Sequence, residues 1–493
     1  MLFQHHIMNH RSHLVFAAAL ASATATFAQN TGPSSTASSY LKPTSAGWSS
    51  TALISVGDSI GGYKMVGIPD GLGAYDNGDG SVTVLMNHEL GSTAGITRAH
   101  GSAGAFVSKW TINKNTLQVT SGSDLVQRAN DVLTWNSGTS SWVSGTTAIG
   151  RLCSADLPSA SAFYNTNSNN GYNGRIFMNG EEVGAEGRAF AFVATGSEAG
   201  KVYELPKLGK FSWENSVANP LTGDKTVVIG TDDSTPGQVY VYVGTKLASG
   251  NAAERAGLAN GTLSSIKVAS TPLEVSATHN TAGVSGAFTT VAIDTTVSGA
   301  TQQTAATTAG VTEFARPEDG AWVDADTFVF VTTGTTAGGS AKLYKIDFSD
   351  NTFSQGTISM VLNSASLTGT DGQTARSFDN IAVGLDGMVY IQEDPGNAAY
   401  IAKIWQVDLA NPNAAVQIFE SDRARFLIPT PPFSQDEEHS GIIDVTALFT
   451  GASWYVAGTK VFLADTQAHY DISGELVKGG QLSLLTYSAP AIP

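Results

Sequence analysis

In a chain of 493 residues, Asp and Glu (42) outnumber Lys and Arg (26), for a net charge of −16. That balance excludes nucleic acid as a partner and any purely electrostatic hold on anionic lipid. Only 14% of the residues are charged, while Gly, Ser, Thr and Ala abound, which suits many short strands and turns better than long helices.

The first 28 residues carry Arg11, an apolar run from Leu14 to Ala21, and small residues ending at Ala28. This is the pattern of a secretory signal, with cleavage expected after Ala28 or, alternatively, at Ala25. The run is short for a membrane span, and no later stretch reaches the roughly 20 apolar residues one needs. An exported protein, secreted or periplasmic, is therefore expected, without a membrane span and as a monomer. No Arg-Arg pair precedes the run, which points to the general secretion route. Residues 29–47, rich in Ser, Thr and Gly, read as a flexible lead-in, and 48–493 as a single domain. Cys153 is the sole cysteine, so no internal disulfide can form. On its own it reads as a small buried hydrophobe or as a functional thiolate.

From there the chain falls into pairs of strands bounded by Gly, Asn and Asp. The pairs are Ser81–Glu89 with Gly104–Ile112, Gly174–Glu182 with Gly200–Leu205, and Thr226–Asp233 with Gln238–Val243. Thr327–Thr333 with Ala341–Ile346, Met388–Asp394 with Ala402–Val407, and Lys460–Asp465 with Gln481–Leu485 follow. Six such pairs predict an all-β, six-bladed β-propeller with surface insertions; a two-sheet sandwich is the alternative. The largest insertion spans about 245–312. It starts with a short helix at Asn251–Leu258 and continues as a Thr/Ala/Ser/Gly tract, either a surface excursion or extra strands.

Acidic residues recur at the strand ends. Glu214, Glu318 and Asp379 each open a β segment, and Asp233 and Asp394 close the next segments, 19 residues after Glu214 and 15 after Asp379. Thr333 stands where the Glu318 unit needs its second acid. In a propeller, equivalent inner-strand positions form a ring around the channel, so these residues share one mouth with Glu89 and Glu182. Carboxylates so crowded repel one another, and multivalent cations are the simplest compensation. Oxygen donors favour hard ions, with several Ca2+ expected. Asp76-Asn-Gly-Asp79-Gly reads as a plain turn, and His88, His439 and His469 as surface or core histidines. No phosphate-loop or His-Glu-x-x-His motif occurs, which tells against common nucleotide enzymes and zinc proteases.

The motifs resemble those of the PhoX-type alkaline phosphatases, secreted propellers that use calcium and iron. Leu85-Met-Asn87-His88-Glu89 is similar to an early Asn-His-Glu of that family, and Arg151-Leu-Cys153 to the segment of its metal-bridging cysteine. Gly180-Glu181-Glu182 resembles a Cys-Glu-Glu segment, and Gly209-Lys-Phe-Ser-Trp213-Glu214 a Gly-Arg-Phe-x-His-Glu motif with Trp213 in place of His. Asp232-Asp233, Arg316-Pro-Glu318, Glu438-His-Ser-Gly441 and Gln467-Ala-His469 follow in order. The resemblance implies metal ligands at Cys153, Glu182 (or Glu181), Glu214, Asp233, Glu318, Asp379 and Asp394, and Arg316 as the binder of substrate phosphate. It also gives Cys153 and Glu214 a part in catalysis.

The implied chemistry is hydrolysis of a small phosphate ester by a metal-bound oxygen nucleophile at the propeller mouth, without a phosphoenzyme. Calcium is expected ahead of Fe3+, because a chain exported unfolded must collect its ions outside the cytoplasm. Two other readings stay open: another calcium-dependent propeller hydrolase, phytase-like or lactonase, and a non-enzymatic propeller whose calcium is structural.

Overall fold

The computed structural model describes residues 28–145, 147–274, 282–335 and 340–489. Apart from Ala28, the expected signal segment lies outside them. The chain is mostly strand with few helices, in a propeller-like arrangement. Pro69–Asp76, Ser81–His88, Phe106–Asn113 and Val119–Asp124 form one antiparallel sheet in chain order. Leu152–Asp156, Ile176–Glu181, Ala189–Val193 and Val202–Glu204 form the next, extended by Val132–Asn136 and Ser141–Ser144.

Trp213–Ala218, Lys225–Asp232, Val239–Thr245 and Thr262–Lys267 repeat the pattern, as do Pro317–Trp322, Thr327–Thr332, Lys342–Phe348 and Gln355–Asn363. Gly286–Ile293 bridges these last two units into a nine-stranded sheet. Phe378–Val383, Val389–Glu393, Lys403–Val407 and Val416–Ser421 make a further unit. Near the C-terminus, Ile442–Asp444 and Glu437–Glu438 pair with Lys460–Ile472, which pairs with Val477–Tyr487.

The leading strand of each unit touches the leading strand of the next, from Pro69–Asp76 through Leu152–Asp156, Trp213–Ala218, Pro317–Trp322, Phe378–Val383 and Ile442–Asp444. The last returns to Pro69–Asp76 and closes a ring. Such a ring needs neighbouring sheets to pack closely at the axis, and small residues permit it. A Cβ on Gly180 would lie 2.3 Å from that of Trp213. Trp213 is buried and stacks on Phe211 with centroids 3.9 Å apart, and Phe211 stacks in turn on Tyr240 at 4.3 Å.

The strand pairs expected from sequence form, with one change of partner. Ile176–Glu181 pairs with Ala189–Val193, which separates it from Val202–Glu204. This intervening strand, Ala-Phe-Ala-Phe-Val, is buried throughout. The insertion 245–312 contributes strands, with Thr262–Lys267 completing a unit. Its short helix is Ala252–Arg255, held by a capping box between Asn251 and Glu254. A second helix, Gly299–Thr308, is capped by Ser298.

The expectation of a flexible lead-in at 29–47 is corrected. Ala28–Thr31 pairs in parallel with Trp48–Ser55, and Leu41–Pro43 adds to the edge of Val416–Ser421. Trp48–Ser55 in turn pairs with Val477–Tyr487, so the two ends of the domain share a sheet. Polar composition hid this, because Ser and Thr here supply ladder and side-chain hydrogen bonds: Ser39 to Ser483 at 3.1 Å, Ser49 to Thr486 at 2.7 Å, and Ser50 to the Leu41 carbonyl at 2.6 Å. Leu41 is fully buried. Leu41→Ala is expected to cost about 2–5 kcal/mol, read as a lower melting temperature; an unchanged melting temperature would return this segment to the status of a loose lead-in.

Candidate active site at the channel mouth

One backbone device builds the site. Five leading strands carry a bulge at the same place, where two of their residues oppose one on the partner strand. Pro69 and Leu72 face His88 and Met86, Leu152 and Ala155 face Glu181 and Asn179, and Trp213 and Ser216 face Asp232 and Gly230. Pro317 and Gly320 face Thr332 and Phe330, and Phe378 and Ile381 face Glu393 and Ile391. The second residue of each strand, released from the ladder, is Asp70, Cys153, Glu214, Glu318 or Asp379.

The residue before the strand has positive φ in four of these units: Ile68 (41°), Arg151 (33°), Arg316 (60°) and Ser377 (48°). Left-handed backbone at residues other than glycine costs on the order of 1–3 kcal/mol and gathers at functional sites. In all five units the carbonyl of that residue takes a backbone N–H from the neighbouring strand end. Glu89 donates to Ile68 (3.0 Å), Glu182 to Arg151 (2.8 Å), Asp233 to Ser212 (2.8 Å), Thr333 to Arg316 (3.1 Å) and Asp394 to Ser377 (2.9 Å). The bulge thus sets an inner ring of Asp70, Cys153, Glu214, Glu318 and Asp379 beside an outer ring of Glu89, Glu182, Asp233, Thr333 and Asp394.

Three groups among the described residues bring their donor atoms within 4.8 Å of one another: Glu89, Cys153 and Glu182; Asp70, Glu89 and Glu438; and Glu214, Asp233 and Glu318. Burial, then neighbouring carboxylates such as Glu89 for Asp70 and Asp233 for Glu214, push the carboxyls of Asp70, Glu214, Glu318 and Asp379 well above their ordinary range. Burial likewise raises Glu182 to about 8 and Asp394 to about 7, and lifts the Cys153 thiol.

Some charge is offset within the chain. Arg151 bridges Glu89 and Glu182. The Nε and Nη2 of Arg316 each donate to one oxygen of Asp233 at 2.7 Å, and Nη2 lies 3.4 Å from Glu318. The Gln467 amide reaches Asp70 (3.1 Å), Glu89 (2.9 Å) and Glu438 (3.2 Å), and His469 pairs with Glu438 at 3.5 Å. Buried oxygens of Asp70 (Oδ1), Glu318 (Oε2) and Asp465 (Oδ2) have no hydrogen-bond partner. Orphaned anionic oxygens in a crowd of carboxylates fit hard cations, and the thiol adds a softer donor to one group.

Beneath the inner ring, the third residues of the bulged strands lock it together. Ser154 donates to Glu214 at 2.5 Å and accepts from Asn380 at 2.5 Å; Asn215 donates to Asp319 at 2.5 Å.

Of the residues expected from sequence, Cys153, Glu182, Glu214, Asp233 and Glu318 fall in the three groups. Asp379 and Asp394 stand in the two rings but in none of those groups. Glu181 stands in neither ring and in none of those groups. Arg188 donates to both of its oxygens, at 2.7 and 2.8 Å, and the Gly150 N–H to one of them at 3.0 Å. Asp70 was missed, although Pro69-Asp70-Gly71 has the same form as Pro317-Glu318-Asp319; Glu438 and Gln467 were noticed as motifs but given no role. His88 is a core residue, stacked on Phe106 at 4.4 Å and bonded to the Ser108 hydroxyl. His439 is buried against Ser421 at 2.7 Å. Asp76 and Asp79 cap their own turn through the N–H groups of Gly78 and Ser81.

This fold and mouth define a class: an all-β, propeller-like protein that gathers carboxylates, one thiol and two arginines at one end of its channel. Residues 195–404 match the family model of the alkaline phosphatase PhoX. The structure of Pseudomonas fluorescens PhoX in complex with vanadate, a transition-state analogue, is similar in fold, with a TM-score of 0.56, 12% identity, and coverage of 90% of this chain and 95% of that one. A protein of unknown function from Dyadobacter fermentans (TM-score 0.41, 8% identity, 86% and 95% coverage) and the NanB sialidase of Streptococcus pneumoniae (0.36, 8%, 86% and 68%) are more distant. No curated protein matches the chain.

The buried acids give the metal-free protein a distinctive pH dependence. A carboxyl whose folded pKa is raised holds a proton that the unfolded chain has released, so stability is full below the unfolded value and falls as pH rises toward 7–8. Chelator-treated protein is expected to melt at a lower temperature at about pH 8.5 than at about pH 5.5. Calcium should restore more than about 5 °C at the higher pH. A flat profile, or no response to calcium, would contradict the site.

Proposed function

We propose that the channel mouth is the active site of an exported, metal-dependent phosphomonoesterase of the alkaline phosphatase type. The observation that carries this reading is the bulge-built double ring, which packs carboxylates around Arg316. A phosphate monoester is an anion, and a mouth rich in carboxylates repels it unless cations intervene. Glu214, Asp233 and Glu318 offer oxygen donors suited to Ca2+; Asp70, Glu89 and Glu438 offer a second such set. Glu89, Cys153 and Glu182 would hold a further ion, and the thiolate there suits Fe3+ better than calcium. Bound there, the ions would supply positive charge for the phosphoryl oxygens and acidity for a water. Asp379 and Asp394 would complete the ligand field from the neighbouring strands.

The chain's own groups do the positioning. Arg316 is fixed by Asp233 through Nε and Nη2, while its side chain remains 36% exposed. Its remaining N–H groups are placed to bind a phosphate oxygen. Thr333 donates its hydroxyl to one oxygen of Glu318 and so orients the other. Ser154, held by Asn380, sets the rotamer of Glu214.

Export is part of the same reading: family members are secreted, and among the described residues no helix is long and apolar enough to cross a membrane. Residues 1–28 are proposed as the signal segment, and 29–493, with the paired segment 29–47 included, as one domain acting as a monomer.

With p-nitrophenyl phosphate and calcium, the purified protein is expected to release nitrophenol. Arg316→Ala, Glu318→Gln and Cys153→Ala should each lose on the order of a hundredfold in kcat. Turnover at the parental rate in all three would refute the assignment, and hydrolysis of lactones in place of phosphate esters would transfer the site to another reaction. Activity removed by chelation should return with calcium; recovery with iron alone would reverse the choice of ion.

A further inference from the structure

A cavity of about 830 Å³ opens beside the mouth, walled by Arg316, Ser364, Thr374, Arg376, Ser377 and Asp394 among others. It shares Arg316 and Asp394 with the mouth, so a phosphoryl group held at Arg316 has this space next to it. Hydroxyl-bearing and small residues line much of it. Arg376 differs from the other arginines of this end of the molecule. Arg151 and Arg316 are committed to carboxylates, whereas the Arg376 guanidinium forms no ion pair among the described residues. It is exposed, yet it is held over the Tyr400 ring at 4.1 Å.

That platform is rigid. Tyr400 is buried and donates its hydroxyl to Glu393 at 2.9 and 3.1 Å. The same carboxylate takes N–H groups from Arg376 (3.1 Å), Lys403 (3.0 Å) and the Trp405 indole (2.9 Å). A cation stacked on an aromatic ring keeps its in-plane N–H groups available for an anion and loses little side-chain freedom when it binds one.

We propose that this cavity receives the leaving group and that Arg376 anchors an anionic substituent on it. The preferred substrates are then phosphomonoesters with a second negative group, a carboxylate or another phosphoryl group, on the leaving side. The inference rests on the phosphomonoesterase reading above and deepens it.

Three matched esters test it: phenyl phosphate, 4-carboxyphenyl phosphate and 1,4-phenylene bisphosphate. The holoenzyme is expected to prefer one or both of the doubly anionic esters by about tenfold in kcat/KM, the size of one charge-assisted contact. The stronger preference names the anion. In Arg376→Gln the preference should collapse toward unity, and Arg376→Lys should restore part of it. A preference that survives Arg376→Gln, or no preference in the parent, would overturn the proposal.

A binding measurement separates this from failure of the phosphatase reading. By calorimetry, 4-carboxybenzylphosphonate should bind the parent about tenfold more tightly than benzylphosphonate, and equally in Arg376→Gln. That result without turnover of any ester would sink the phosphatase reading and leave the anion subsite standing. Equal binding of the two phosphonates by the parent would sink the subsite.

Discussion

Like charges forced out of water at one end of a narrow channel are the constraint around which this protein is arranged. Two carboxylates about 5 Å apart at an effective dielectric constant near 20 repel by about 3 kcal/mol, and desolvation adds to each. A chain has few ways to hold such groups together: protonate them, pair them with arginine, or place a multivalent cation between them. All three routes are open here. Burial raises the acids of the inner ring, Arg151 and Arg316 neutralise parts of the outer ring, and orphaned oxygens on Asp70 and Glu318 remain as cation donors. An acidic mouth that takes a phosphate ester is consistent only when the third route operates.

The backbone reaches this arrangement by repetition. A bulge at the second position of a leading strand removes one residue from the ladder and frees its side chain for the channel, and in four of the five units the residue before the strand turns into the left-handed region. One N–H from the adjacent strand end bonds that residue's carbonyl in all five. Because this arrangement recurs in successive sheets, side chains distant in sequence converge without any loop having to carry them. Loops at a propeller end tolerate change; strand bulges pinned by a ladder do not, which suits a site built from closely set carboxylates.

Much of this was legible in the sequence. Acids opening and closing successive β segments are a visible pattern, and Glu214, Asp233, Glu318 and the sole thiol fell where that pattern and the resemblance put them. Asp70 escaped because its strand, Pro-Asp-Gly-Leu-Gly-Ala-Tyr-Asp, has three small residues and reads as a turn. In the fold those small residues let neighbouring sheets approach: a Cβ on Gly71 would lie 2.3 Å from atoms of Ala155. Glu181 was indistinguishable from Glu182 in sequence, since alternation along a strand puts one toward Arg188 and the other toward the mouth, and only register decides which. The N-terminal segment misled for a different reason. Ser and Thr were read as solvent-seeking, but they are also good edge-strand residues when partner strands supply the hydrogen bonds.

The break in the repeat is as informative as the repeat. Four units close their second strand with an acid, and one places Thr333 there. Thr333 also lines the neighbouring cavity, together with Arg316 and Arg376. The one sector of the outer ring without a carboxylate is therefore the sector with two arginines and open volume. For an anionic ester, repulsion is weakest along that direction, and Arg316 is the first group there that also belongs to the mouth. A missing charge thus orients the site. Had Thr333 been a fifth acid, it would have competed for Arg316 with Asp233 and Glu318 and closed the approach that the remaining geometry leaves open.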